Sequence, residues 1–164
     1  MMRILGIDPG IRCTGFGIIS TEGSQPALID FGTIKPPVDE SMGARLAVIY
    51  DDISQLIGSF KPDEFAIEEV FRGVNSRSAL ILGQARGAAL LCAARHKLPI
   101  GEYAPRKIKA ATTGNGNASK EQVQYMVQRI LGLNAPPAPA DAADALAVAI
   151  CHHQQYIMHQ GVTG

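Results

Sequence analysis

Residues 140–150 read ADAADALAVAI, two aspartates set three apart in a run otherwise made of Ala, Leu, Val and Ile. Alanine-rich runs favour helix, and on a helix positions three apart share a face. Asp141, Asp144, Ala145 and Val148 follow the i, i+3, i+4, i+7 spacing of a core-facing stripe. Two acids therefore point where apolar side chains usually go. A buried carboxylate without a partner is costly, so a cation, a proton or a basic side chain has to compensate. Asp8 is a third acid of this kind, closing the apolar run RILGID. The run EFAIEEVF (64–71) supplies a fourth, Glu68 or Glu69. Adjacent strand residues point to opposite faces, so only one of the two can join Asp8, and periodicity leaves the choice open. If these acids converge, they drive one another's pKa values up unless cations neutralise them. Mg²⁺ and Mn²⁺ prefer such an all-oxygen cluster, and two such ions about 4 Å apart clamp an in-line displacement at phosphorus. Taken singly, each acid reads better as a cap or a surface charge, and Asp141 is a fair N-cap for the helix that follows. It is the joint pattern that points to a metal site.

The chain that must assemble these groups has 164 residues, 46 % hydrophobic, 18 % charged and 5 % aromatic. That suits one domain with a full core, expected over residues 1–157 with a tail at 158–164. RILGID (3–8), TGFGIIS (14–20) and ALIDFGTI (27–34) read as strands, and their short connections predict an antiparallel meander. Apolar residues at helical spacing predict a helix over 41–60. EFAIEEVF (64–71) is a fourth strand, 76–96 a second helix and LPIGEYA (98–104) a fifth strand, with a short helix after Pro105. GNGNAS (114–119) has the composition of a mobile loop, and Ser119 with Gln122 has the form of a capping box opening a helix to about Leu131. APPAPA (135–140) is a stiff linker into the last helix. The order βββαβαβα(α) predicts an α/β domain, a mixed sheet with helices packed on it.

Net charge is zero, but it is unevenly spread. Residues 72–129 carry 10 Lys/Arg against 2 Asp/Glu, whereas residues 1–71 carry 5 against 11. A basic middle beside acidic ends suggests a surface for a polyanion next to a cluster that wants cations. Cys13, Cys92 and Cys151 are far apart and lack metal-site spacing, which predicts free thiols. His152, His153 and His159 read as a solvated tail. The start, MMRILGIDPG, enters a strand pattern directly, so no leader is expected, and no apolar run reaches membrane-spanning length.

GIDPGIRCTGFG, AIEEVF, SALILGQARGAAL, YAPRKIKAATTGNGNASKEQVQYMV and ADAADALAVAI, in this order, resemble RuvC, the bacterial Holliday-junction resolvases of the RNase H-like superfamily. The likeness runs from about residue 3 to residue 153. It implies an RNase H-like fold, with three antiparallel strands and then parallel ones in a five-stranded sheet. It also implies a metal-dependent endodeoxyribonuclease of recombination and repair that cuts four-way DNA junctions by paired nicks. The family's four metal-binding acids match Asp8, Glu68, Asp141 and Asp144, which implies two Mg²⁺ ions, with Mn²⁺ able to substitute. Its important lysines match Lys109 and Lys120, its base-stacking aromatic matches Phe71, and its polar loop residues near DNA match Asn75 and Ser78. Arg77, Arg106 and Lys107, in the basic segment, are further candidate DNA contacts. Gly83 and Gly87, four apart in LGQARG, would let another element pack closely; in this family the matching helix helps form a homodimer. The likeness further implies branch-migration partners RuvA and RuvB and a cytoplasmic setting. Many relatives continue into a longer basic tail, whereas this sequence closes HHQQYIMHQGVTG.

Three other readings fit less well. GIDPG also resembles the phosphate-binding turn of actin-like ATPases and sugar kinases, but those need a second such domain and turn. A non-catalytic junction-binding module would lack one or more of the acids. A nuclease for RNA–DNA hybrids is disfavoured by the GQARG motif.

Overall fold

The computed structural model describes residues 1–22, 24–69 and 75–162. Its elements in chain order are β1 (Met2–Asp8), β2 (Thr14–Glu22), β3 (Gln25–Ile34), α1 (Met42–Phe60), β4 (Glu64–Glu68), α2 (Ser76–Arg95), β5 (Ile100–Tyr103), α3 (Pro105–Thr113), α4 (Lys120–Ile130) and α5 (Ala140–Val162). The sheet order is β3-β2-β1-β4-β5. β1, β2 and β3 pair antiparallel, whereas β4 runs parallel to β1 and β5 parallel to β4. This is the expected meander followed by parallel strands, and the structure is an α/β fold.

β1 and β4 are central strands covered on both faces, which is why they read as nearly unbroken apolar runs. Alternation sorts their side chains. Leu5, Ile7, Phe65 and Ile67 pack with Ile49, Ile53, Ala85 and Ala89 of α1 and α2. Ile4 and Ala66 pack on the other face with Leu146 and Ile150 of α5. By the same parity Asp8 faces α5 with Ile4, and Glu68 faces α5 with Ala66.

α5 lies against the sheet at backbone contact. A Cβ on Gly15 would overlap the Asp141 carbonyl oxygen, and one on Gly6 would overlap that of Ala145. Glycine inside a strand commonly marks such a close approach. The first turn of α5, where Asp141 sits, thereby rests directly on β2.

Local signals set the helix starts. Ser41 accepts from Ala44 N at 3.2 Å, and Asn75 accepts from Ser78 N at 2.9 Å. Ser119 and Gln122 form the expected capping box of α4.

Several expectations need correction. α5 begins at Ala140, with Ala142 N donating to Pro139 O at 3.0 Å, so Asp141 lies inside the first turn and is not the cap. Residues 158–162, expected in a tail, continue α5. His152 and His153 are not solvated: only 7 % and 3 % of their surface is exposed, because α5 runs on across the sheet past Ile150. GNGNAS is internally bonded, with Asn117 N donating to Asn115 Oδ1 at 2.9 Å and Ala118 N to Asn115 O at 3.1 Å. Lys120 is the first residue of the capped helix α4 that follows this loop. β4 ends at Glu68, and Phe71 and its neighbours 70–74 lie outside the described residues. Among the described residues no helix is long and apolar enough to cross a membrane.

Candidate active site

Three elements deliver the acids. Asp8 closes β1, Glu68 closes β4, and Asp141 and Asp144 occupy the first two turns of α5. Carboxylate oxygens of Asp8, Asp141 and Asp144 lie within 4.8 Å of one another. Glu68 lines the same cleft as Asp8 and Asp144. Glu69 is exposed, and its backbone N–H donates to Tyr103 O at 2.9 Å. The choice left open by the sequence falls on Glu68 because its parity matches Ala66, the residue that meets α5.

The cluster is electrostatically unfavourable in isolation. Burial, then the Glu68, Asp144 and Asp141 charges, push Asp8 up to about 9. Burial also raises Glu68. Asp144 is raised by burial, against the opposing pull of the Lys120 ammonium. Raised carboxylates in a shared cleft mark a place where positive charge is wanted. The donor set is hard oxygen throughout, which fits a divalent cation such as Mg²⁺ or Mn²⁺.

The acids open into a cleft of about 740 Å³ walled on the far side by α3 and α4. Lys109, Lys120 and Arg106 line it together with Asp8, Glu68 and Asp144. Lys120 Nζ lies 3.4 Å from Asp144 Oδ2. Arg106 donates to Asn117 Oδ1 at 3.0 Å, which ties α3 to the loop before α4. The remaining candidates fall elsewhere. Lys107 turns to the Tyr103 ring, 5.9 Å from its centroid. Asn75, Arg77 and Ser78 are exposed at the start of α2, where Asn75 serves as the helix cap.

Some participants carried no expectation. Burial first, and then the Asp141 carboxylate, raise the Cys13 thiol above its usual range. Arg86 of α2 donates from Nε to the Glu68 carbonyl oxygen at 2.9 Å. Gly15 carries the first turn of α5. Only Gly15 had a signal in the sequence, a glycine inside a strand; nothing in the spacing of Cys13 or Arg86 marks them.

The family model for crossover junction endodeoxyribonuclease RuvC matches residues 4–152. The chain belongs to the RuvC family. It is 51 % identical over 154 residues to the RuvC of Dehalococcoides mccartyi, covering 94 % of this chain and 92 % of that one. It is 52 % identical over 156 residues to the RuvC of Shewanella loihica, covering 95 % and 89 %. Among solved structures, Thermus thermophilus RuvC in complex with Holliday junction substrate superposes with a TM-score of 0.92 at 34 % identity, covering 97 % of both chains. The RuvC fold thus extends over nearly the whole chain. Gly83 and Gly87 of α2 are exposed, and a Cβ on either would meet nothing within 4 Å. The small-residue pair therefore does not serve packing among the described residues of the chain.

Proposed function

We propose that the chain is a Holliday-junction resolvase of homologous recombination and DNA repair. It hydrolyses phosphodiesters at paired, symmetric positions of a four-way DNA junction and leaves 5′-phosphate and 3′-hydroxyl ends. The observation that carries this reading is the convergence of acids from β1, β4 and α5 on one cleft edged by Lys109, Lys120 and Arg106.

Asp8, Glu68, Asp141 and Asp144 are the residues that would hold two Mg²⁺ ions, with Mn²⁺ as a substitute. When bound, such ions activate water and stabilise the leaving oxygen. Lys109 and Arg106 hold DNA phosphates across the cleft. Lys120, beside Asp144 and 68 % exposed, stabilises charge at the reacting phosphate. Asn75, Arg77, Ser78 and Lys107 serve the DNA surface outside the cleft. Phe71 follows Glu68 closely in the chain, and base stacking by it rests on the family resemblance.

Paired nicks need two active sites. α2 presents Leu80 and Leu91, 69 % and 57 % exposed, in line with Gly83 and Gly87. This face suits a two-fold contact with a second copy, and a two-fold enzyme matches a two-fold junction. Partnership with RuvA and RuvB and a cytoplasmic setting follow from the resemblance.

The deciding experiment incubates the protein with a mobile synthetic four-way junction, a linear duplex and an RNA–DNA hybrid, each with Mg²⁺, and sizes the products on a denaturing gel. The junction alone should be cut, at symmetric positions, giving nicks that ligase seals. Cleavage of the hybrid with an intact junction would overturn the assignment. Asp8→Asn should abolish cutting and leave junction binding in place.

A further inference from the structure

Arg86 lies across the sheet from the acids, on α2, yet touches the strand that carries one of them. Its Nε donates to the Glu68 carbonyl oxygen at 2.9 Å, and its Nη2 forms an ion pair with the Glu102 carboxylate of β5. The side chain is only 15 % exposed. Its position follows from strand parity. Glu68 sends its side chain towards α5, whereas Glu102, partnered with Ile67, faces the α2 side.

The contact falls where the ladder gives out. β4 pairs with β1 only as far as Ile7 and Ile67. On the β5 side, Glu68 is opposite Tyr103, and Glu69 N donates to Tyr103 O. Beyond Ile67, therefore, the β1 side no longer fixes the backbone. Arg86 supplies a charge-assisted bond to the Glu68 carbonyl, with Glu102 orienting the guanidinium from β5.

We infer that Arg86 is a positioning residue for the metal centre, holding the backbone of Glu68 so that its carboxylate meets Asp8. The inference rests on the reading of Glu68 as a metal-holding acid. Groups that orient ligands from behind typically control metal affinity or activity by about 10–100-fold. The planar fork serves two acceptors at once, which a lysine ammonium cannot reproduce with the same geometry.

The test compares Arg86→Met, Arg86→Lys, Glu102→Gln and Glu68→Gln with the wild type. Two quantities are read: the Mg²⁺ concentration for half-maximal junction cleavage, and the rise in melting temperature on adding Mn²⁺ without DNA. Arg86→Met should need about tenfold more Mg²⁺, show a smaller Mn²⁺-induced rise, and bind junction in Ca²⁺ as the wild type does. Glu102→Gln keeps the bond to Glu68 and should shift both readouts in the same direction by less. Arg86→Lys should fall between Met and wild type. Glu68→Gln should lose most of both responses. A lower melting temperature for Arg86→Met with unchanged metal responses would make Arg86 merely structural and overturn the inference. If that variant does not fold, wild-type metal responses in both Arg86→Lys and Glu102→Gln overturn it instead. A wild-type metal response in Glu68→Gln would overturn the reading of Glu68 itself, an outcome separate from a failure at Arg86.

Discussion

The Lys120 ammonium stands 3.4 Å from Asp144 Oδ2, 68 % exposed against 20 % for the aspartate. The Asp144 charge raises Lys120, and Lys120 in turn opposes the upward push of burial on Asp144. An ion pair this open to water contributes little to stability, on the order of 0–1 kcal/mol. Its value is positional, since the capped start of α4 holds a cation at the rim of the acidic cluster.

Lys120→Ala should therefore lower the cleavage rate by roughly 10²–10³ while leaving the melting temperature close to wild type. Lys109, half-buried in the cleft wall, should behave differently. If it neutralises a phosphate, Lys109→Ala should reduce the slope of log affinity against log salt by about 1, whereas Lys120→Ala should leave that slope unchanged. Junction binding measured in Ca²⁺ between low and moderate salt checks both. Equal slope changes would assign the two lysines the same role.

Asp8 sets a pH dependence in the metal-free protein. Its folded-state pKa is pushed up to about 9 by burial first and by its acidic neighbours second. A raised folded-state pKa means that the folded form binds the proton more tightly than the unfolded chain does. The stability that this proton contributes is fully present below the ordinary carboxylate range and is lost as pH rises through about 9. Melting in EDTA should therefore show Asp8→Asn gaining on the wild type as pH increases over that window. Mg²⁺ should stabilise the wild type more than the variant, because an ion bound only by the folded state acts by mass action. A wild-type-minus-variant difference that does not change with pH would show that neither burial nor the neighbouring acids raise Asp8 in the folded protein.

The sheet was legible because β1 and β4 are apolar throughout and β1–β3 are joined by short turns. The helices were legible from the apolar spacing of α1 and the Ser119–Gln122 pair. Asp8, Asp141 and Asp144 stood out as acids in apolar surroundings, a conflict that local pattern can register. Glu68 against Glu69 was different: alternation separates the two but does not say which face meets α5. That depends on where a helix some 70 residues later packs. The same holds for Arg86, which meets Glu68 from 18 positions away, and for Cys13 against Asp141. His152 and His153 were misplaced because their buried setting comes from the sheet beneath α5 and not from their neighbours in the chain.

Gly15 tests how closely α5 must lie. A Cβ there would overlap the carbonyl of Asp141 and crowd the backbone of Ala142. Relief requires the first turn of α5 to lift from β2, carrying Asp141 with it. Gly15→Ala should lower stability by about 1–3 kcal/mol, the usual cost of forced overpacking, and should also weaken the Mg²⁺-induced rise in melting temperature. Gly87→Ala, where an added Cβ meets nothing within 4 Å, should leave both unchanged in a dilute monomeric sample. A normal metal response in folded Gly15→Ala would mean that α5 can shift without moving its acids.

The Tyr103–His152–Glu64 chain makes the opposite prediction, stability without metal. Tyr103 Oη lies 2.7 Å from His152 Nδ1, and His152 Nε2 lies 3.1 Å from Glu64 Oε2. A neutral imidazole has one donor and one acceptor, so Nε2–H donates to Glu64 and Nδ1 accepts the tyrosine proton. Burial lowers the His152 pKa, against the opposing pull of Glu64. With a depressed folded-state value, its contribution is present above the ordinary histidine range and is lost as pH falls below it. Tyr103→Phe leaves a buried Nδ1 without its donor and should cost about 1–3 kcal/mol at pH 8. His152 is eight residues, about 12 Å of helix, beyond Asp144. The variant should therefore keep the wild-type Mn²⁺-induced rise in melting temperature and the wild-type Mg²⁺ requirement for cleavage. Urea melts with and without Mn²⁺ separate the two effects. A lost metal response in a folded Tyr103→Phe protein would mean that this chain of bonds sets the seating of α5 as far as its acids, and that the two ends of the helix do not act separately.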